Sequence, residues 1–246
     1  MYHKFIGIDY SGAESPNRRR KNICVFSASP DYPSTPVREG FWSRAEVAAH
    51  LIEAFQSNER ALVGIDHGFS YPLEYFNAHQ LQDWDALLTH VYEAFGHYRH
   101  CAATAAVGRE LFDEFSTHLR LTEKHSSSAK SVFNFNGPGV ALSTWVGLPW
   151  LAMLRRDFRD KVHFWPFDGW IPDPERHCVA EVYPSIFKRR YQSETDHTDD
   201  ALDAYSICRW MKESQEAELL STYFNPPLSQ THQQLACKEG WILGLM

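Results

Sequence analysis

Two short runs constrain this chain more than any other feature. Ile6-Gly7-Ile8-Asp9 and Val63-Gly64-Ile65-Asp66 repeat one pattern, an unbroken apolar β-forming run that ends on an aspartate. Continuous apolar character suits strands covered on both faces, the situation of parallel pairing after a helical crossover. Side by side and parallel, such strands lie about 4.8 Å apart and deliver both carboxylates to the same sheet edge. The chain is therefore read as an α/β fold.

The stretches around these runs supply the rest of the layout. Asn22 to Ala28 and Val37 to Trp42 read as two further strands, separated by Ser29-Pro30-Asp31-Tyr32-Pro33, so the first three strands form an antiparallel meander. Ser43-Arg44-Ala45-Glu46 fits a capping box, and Val47, Ala48, Leu51, Ile52 and Phe55 form an apolar helical stripe. Val179 to Tyr183 resumes strand character and stops at Pro184. Asp199 to Lys212 reads as a helix with an acidic first turn.

Residues 67–177 are too many for a simple crossover, and helical spacing at Trp84, Leu87, Leu88, Val91, Tyr92 and Phe95, and again at Leu111, Phe112, Phe115 and Leu119, makes them a mainly helical insertion. The core is then 1–66 with 178–246. Ser126-Ser127-Ser128 reads as a loop and Asn136-Gly137-Pro138-Gly139 as a turn. A second echo, Gly169-Trp170-Ile171 with Gly240-Trp241-Ile242, reads as two edge strands packing an indole.

With 246 residues, 43% of them hydrophobic, the chain can bury a core. A net charge of -7 and a pI near 6.0 exclude a globally basic surface that would hold nucleic acid by charge alone, and leave room for a local basic groove. Five scattered cysteines without a Cys-x-x-Cys pair indicate neither a disulfide framework nor a zinc ribbon, so a reducing cytoplasm is the simplest compartment. The N-terminus is not read as a secretory leader, and Val140 to Leu154 falls short of the roughly 20 apolar residues of a membrane span.

The candidate chemistry lies in the acids. Paired carboxylates at one sheet edge repel unless a cation neutralises them, and hard oxygen donors select Mg²⁺ or Mn²⁺. Asp9 and Asp66 are thus candidate metal ligands; the alternative is that each caps a following turn. Glu181, inside an apolar strand, needs a cation, a hydrogen-bonding partner or a solvent-facing position. Asp200 and Asp203 share a face of the last long helix, with Asp199 as the adjacent alternative.

Taken together, Ile6-Gly7-Ile8-Asp9, Val63-Gly64-Ile65-Asp66, Glu181-Val182-Tyr183-Pro184, Asp199-Asp200-Ala201-Leu202-Asp203-Ala204 and Glu239-Gly240-Trp241-Ile242 resemble the "domain of unknown function 429" family, regarded as predicted nucleases of ribonuclease H-like fold. Asp200-x-x-Asp203-Ala204 is also similar to the final helix of Holliday-junction resolvases. The resemblance implies a mixed five-stranded sheet of order 3-2-1-4-5, with the insertion between strands 4 and 5. It further implies two Mg²⁺ or Mn²⁺ ions, Asp9 bridging them, Asp66 and Asp203 or Asp200 completing the shells, and Glu181 as a further acid. His197 is a candidate assistant to product release. The segment Ala129 to Phe133 resembles a recurring one in part of the family, which makes Lys130 and Ser131 substrate-binding candidates.

Phosphate contacts need cations. Arg18-Arg19-Arg20-Lys21 follows the first strand, Lys188-Arg189-Arg190 follows Glu181, and Arg155, Arg156, Arg159 and Lys161 close a helix of the insertion. Arg18 and Arg19 are taken as the candidates nearest a metal-bound phosphate. The expected activity is metal-dependent phosphodiester hydrolysis of a nucleic acid or nucleotide, with no membrane partner. Two rivals stand beside it. An actin-like or sugar-kinase-like phosphotransferase would hold ATP phosphate on the turn Asp9-Tyr10-Ser11-Gly12-Ala13, which makes Ser11 a binding candidate; a catalytically silent nucleic-acid-binding module would keep the fold without turnover. His-Glu-x-x-His, Gly-x-x-x-x-Gly-Lys-Ser/Thr and Gly-x-Ser-x-Gly are missing from the sequence, so zinc protease, P-loop and esterase readings lack their anchors.

Overall fold

The computed structural model describes residues 1–13, 15–126, 128–137, 139–193 and 196–246. Ser127 and Pro138, assigned above to a loop and a turn, lie outside the described residues. The chain opens with the expected meander, β1 (Lys4–Asp9), β2 (Cys24–Ala28) and β3 (Thr35–Pro36), paired antiparallel. The capping box starts α1 (Arg44–Gln56): Ser43 Oγ accepts from the Glu46 N–H at 3.2 Å, and Glu46 Oε2 accepts from the Ser43 N–H at 2.9 Å. β4 (Ala61–Asp66) then returns parallel to β1.

The described residues then form α2 (Leu73–Ala78), α3 (Trp84–Phe95), α4 (Ala105–Leu111), α5 (Leu121–His125) and α6 (Ala141–Phe158). The chain re-enters the sheet as β5 (Val162–Trp165) and β6 (His177–Glu181), and ends in α7 (Asp199–Glu216), α8 (Leu220–Tyr223) and α9 (Gln230–Glu239). No helix of the described residues is long and apolar enough to cross a membrane.

The sheet departs from the expected five strands in order 3-2-1-4-5. Among the described residues it has six, in order β3-β2-β1-β4-β6-β5. The expected fifth strand is β6, beside β4, while β5 pairs parallel to its outer side. β5 has four residues, contains His163 and meets Pro166 at once, so it shows no usable periodicity in the sequence. The range 67–177 is consequently not all insertion, since it contains one strand of the main sheet.

The third strand is also displaced, from 37–42 to Thr35–Pro36. Gly40 turns the chain at φ +85, and Trp42 makes only an isolated bridge with Arg20. Neither Gly-Trp-Ile triplet forms a strand. Gly169 and Gly240 both take positive φ, Ile171 is exposed, and Trp241 alone is fully buried.

Side chains alternate across the sheet with the two-residue period of a strand. Ile6, Ile8, Val63, Ile65 and Val179 face α1, α6 and the inserted helices; Phe5, Leu62, Cys178 and Ala180 face α7. The glycines of the two echoing runs lie on the α7 side. Gly7 and Gly64 are register partners on adjacent strands, and together they form a trough in which α7 lies. A Cβ on Gly7 would meet the Ala204 carbonyl oxygen and come within 2.5 Å of Cys208 N; one on Gly64 would come within 2.6 Å of Ile207 Cγ2. The other end of α7 is tied to the start of β1, where Gln215 Oε1 accepts from the Tyr2 N–H at 2.7 Å and Gln215 Nε2 donates to the Tyr2 carbonyl at 3.0 Å.

Gly7→Ala meets helix backbone that has no rotamer to yield. We expect it to destabilise the fold by about 3 kcal/mol or more, read as a lower urea midpoint. A midpoint within error of the parent would show that α7 is not seated in this trough.

Candidate active site

The trough fixes what stands at the carboxyl ends of the central strands. Asp9 and Asp66 are register partners at the last positions of β1 and β4. α7 runs with its first turns over these ends, capped by Thr198, and brings Asp200 and Asp203 beside them. Asp9, Asp66, Asp200, Asp203 and Glu181 all line one cleft of about 470 Å³, a volume within the range of small-molecule sites. A second cleft of about 410 Å³, which includes Ser11, Gly12, Asn22 and Asn134, shares Asp9, Tyr10, Gly139, Ser143 and Asp200 with it. A larger, mostly apolar cleft of about 560 Å³ opens at the other end of β1, around Tyr2, Trp170 and Phe224, and brings together no carboxylates from separate strands.

The acids in the first cleft crowd one another. Burial, and then the charges of Asp66, Asp200 and Asp203, hold the Asp9 carboxyl well above the usual carboxylate range. Burial, followed by the charges of Asp203 and Glu181, does the same to Asp66. Asp203 is raised as well, chiefly by burial, against the lowering effect of Lys188. Lys188 Nζ stands 2.8 Å from Asp203 Oδ1 and donates to Oδ2 at 3.1 Å. Such shared elevation marks a site that lacks positive charge for the number of carboxylates it gathers.

Glu181 shares the cleft but has a different partner. Arg120, buried on the inserted segment, donates from Nη2 to Glu181 Oε1 at 2.6 Å and from Nη1 to Oε2 at 2.8 Å. Oε2 also accepts from the Phe69 N–H at 2.9 Å. Arg120 Nε donates to Glu123 Oε1 at 2.8 Å, and Glu239 accepts from the Leu121 and Leu73 N–H groups, both at 2.6 Å. Glu181, a candidate metal ligand in the sequence, is thus engaged in a buried ion pair that ties β6 to the insertion and to α9. The Glu239-Gly240-Trp241-Ile242 run belongs to the same tie: Gly240, at φ +83, lies where a Cβ would be 3.3 Å from Arg120 Nη1.

The predicted substrate contacts divide. Ser11 lies in the second cleft, its Oγ accepting from Asn22 Nδ2 at 2.9 Å, and Lys130 reaches the rim of the first. Ser131 instead donates to the His118 carbonyl at 2.6 Å and accepts from the Phe133 N–H at 3.1 Å, so it is a loop brace. Arg19 is paired with Glu46, which Arg38 also holds, and neither Arg18 nor Arg19 lines either cleft. His197 stands edge-on to Phe26 and Tyr205, outside both clefts.

Two residues that the sequence did not single out stand beside these acids. His67, next to Asp66, is buried and bonds through Nδ1 to the Gly68 carbonyl at 2.8 Å; its ring fits because position 147 is glycine, where a Cβ would come within 2.8 Å of Nε2. Lys188 belonged to a basic cluster whose members looked alike in sequence; only its distance from Asp203 separates it from exposed Arg189 and Arg190. No family model, curated protein or solved structure matches the chain.

Two predictions follow from these environments. Glu181→Gln removes one charge of a buried pair and should cost about 3 kcal/mol whether or not chelator is present; a change below 0.5 kcal/mol (on the order of a surface substitution) would show that the pair with Arg120 is not what holds β6 to the insertion. Burial, helped by Arg120, lowers His67 from 6.5 to about 4 against the Gly68 and Glu181 contributions. The unfolded chain takes up this proton near pH 6.5 and the folded chain only near pH 4, so stability falls as pH drops through that window and the loss levels off below it. His67→Gln should remove up to about 3 kcal/mol of this acid-side dependence in urea unfolding at pH 4 to 7.5; an unchanged slope would show that His67 is not buried neutral.

Proposed function

We propose that the protein is a divalent-metal-dependent phosphodiester hydrolase of ribonuclease H-like architecture, acting on a nucleic acid or nucleotide. The observation that carries this reading is the meeting of Asp9, Asp66 and Asp203 from three separate elements in one cleft, all with raised proton affinity. The sheet supports the architecture: an antiparallel meander, a parallel central pair and a final helix across the strand ends, with one strand added at the edge.

The donor set fits Mg²⁺ or Mn²⁺ by its chemistry, being all carboxylate oxygen and short of positive charge. Among the described residues no group of three His, Cys, Asp or Glu side chains stands in an arrangement that could hold a metal ion as it is, and Asp203 is engaged by Lys188. Asp9 and Asp66 would hold the ion with Asp203, and Asp200 is the neighbouring acid of the same cleft. A bound divalent ion supplies an acidified water and charge stabilisation at phosphoryl oxygen.

The chain's own groups do the remainder. Asp9 and Asp66, on adjacent rigid strands, orient the reacting phosphate side of the cleft, and Asp203 approaches from α7. Lys130 offers a cation at the rim to a flanking phosphate, and the Ser11 turn offers polar contacts in the adjoining cleft. The buried Arg120 and Glu181 pair keeps the floor of the cleft fixed and leaves Asp66 without a competing arginine.

Asp9→Asn tests the assignment. It should bring Mn²⁺-dependent cleavage of a mixed panel of labelled DNA, RNA and nucleotide diesters to background. Thermal stability in chelator should stay equal or rise, because a repelled buried carboxylate is neutralised. Cleavage at the parent rate would remove Asp9 from the chemistry. Thermal stabilisation by ATP and none by Mn²⁺ alone would favour the phosphotransferase reading, and nucleic-acid binding without cleavage in any divalent metal would favour the silent binding module.

A further inference from the structure

The carboxylate cluster already has a cation set against it. Lys188 Nζ lies 2.8 Å and 3.1 Å from the two oxygens of Asp203, and its side chain is about one-third exposed. Its position is built rather than incidental. Lys188 opens a 3-10 turn, Lys188–Arg190, and the residues on both sides of that turn are fastened to α7 itself. The Phe187 ring is stacked on Trp210 with centroids 4.6 Å apart and an interplanar angle of 4°, and Tyr191 Oη donates to Glu213 Oε2 at 2.7 Å. The helix that carries Asp203 therefore also fixes the backbone that presents the ammonium to it. Arg189 and Arg190, one and two residues on, are exposed.

We propose that Lys188 is an internal counter-ion that holds Asp203 in the metal-free protein and must give way when a divalent cation enters the cleft. The inference rests on the metal-dependent reading above and adds a residue that sets how tightly the metal is held. A lysine suits the part because its charge is compact and its stem has four rotatable carbons, so the ammonium can leave without moving the backbone; an arginine would grip the carboxylate with a planar two-pronged contact. Lys188 also acts beyond Asp203, since its charge favours the ionised forms of Asp9 and Asp66. When released, the ammonium stays tethered at the cleft edge, where a phosphate of the substrate is its natural partner.

The test is a three-protein comparison of parent, Lys188→Met and Lys188→Arg, with Mn²⁺ itself as the probe. Mn²⁺ affinity is measured at pH 8 by the electron paramagnetic resonance signal of free ion, and thermal midpoints are measured in chelator. Competition predicts that Lys188→Met binds Mn²⁺ about tenfold tighter than the parent and melts lower in chelator, while Lys188→Arg binds more weakly than the parent. A lysine with a merely structural role would lower the midpoint without tightening Mn²⁺. Equal or weaker binding by Lys188→Met, with the parent still binding, overturns the counter-ion role and leaves the metal reading intact. No Mn²⁺ binding by any of the three proteins overturns both.

Discussion

The closeness of α7 to the two central strands is the constraint on which the rest of the molecule depends. A helix and a sheet with ordinary side chains between them stand apart by the length of those side chains. Here two glycines in register, Gly7 and Gly64, remove that layer at one place, and the α7 backbone settles onto β1 near Ala204 and Cys208. The consequence is local and chemical. Asp203, one residue before Ala204, is carried to the strand ends where Asp9 and Asp66 emerge. The glycine and the aspartate of each run are thus two halves of one device: the first admits the helix, and the second meets what the helix brings.

Charge is distributed unevenly over the site as a result. On the β6 side, Glu181 is matched by Arg120, and Glu123 and Glu239 complete a buried network with their hydrogen bonds satisfied by that guanidinium and by backbone N–H groups. Buried charges of this sort hold elements in register and add little net stability over an apolar packing. On the β1 and β4 side, Arg120, which Glu181 and Glu123 already engage, is the arginine among the described residues of the two cleft linings, and Lys188 pairs with Asp203. One half of the cleft has its charges matched, and in the other the carboxylates crowd one another and are raised.

Much of this was legible in the sequence, and the parts that were not have physical reasons. The echoing runs gave both the parallel pairing and the placement of Asp9 and Asp66, because an apolar run ending on an acid has few places to go in a sheet. The Ser43 and Glu46 capping box stood where its spacing put it. β5 escaped because four residues ended by a proline carry no period. The pairing of Glu181 escaped because Arg120 lies 61 residues away in an inserted segment, and nothing local marks long-range partners. The partners of Arg19 and Ser131 were not legible for a related reason: a surface arginine and a small hydroxyl satisfy nearby groups, Glu46 and the His118 carbonyl, as readily as a substrate. Lys188 needed coordinates to be separated from its basic neighbours.

Asp9, Asp66 and Asp203 are proposed to hold a divalent ion together. The most direct measurement is anomalous diffraction at the manganese edge from crystals soaked in Mn²⁺. The expected result is a peak in the cleft within about 2.5 Å of oxygens from both Asp9 and Asp66, with Lys188 turned away from Asp203. An ordered crystal with no anomalous peak in the cleft at saturating Mn²⁺, or with peaks only on surface carboxylates elsewhere, would contradict it.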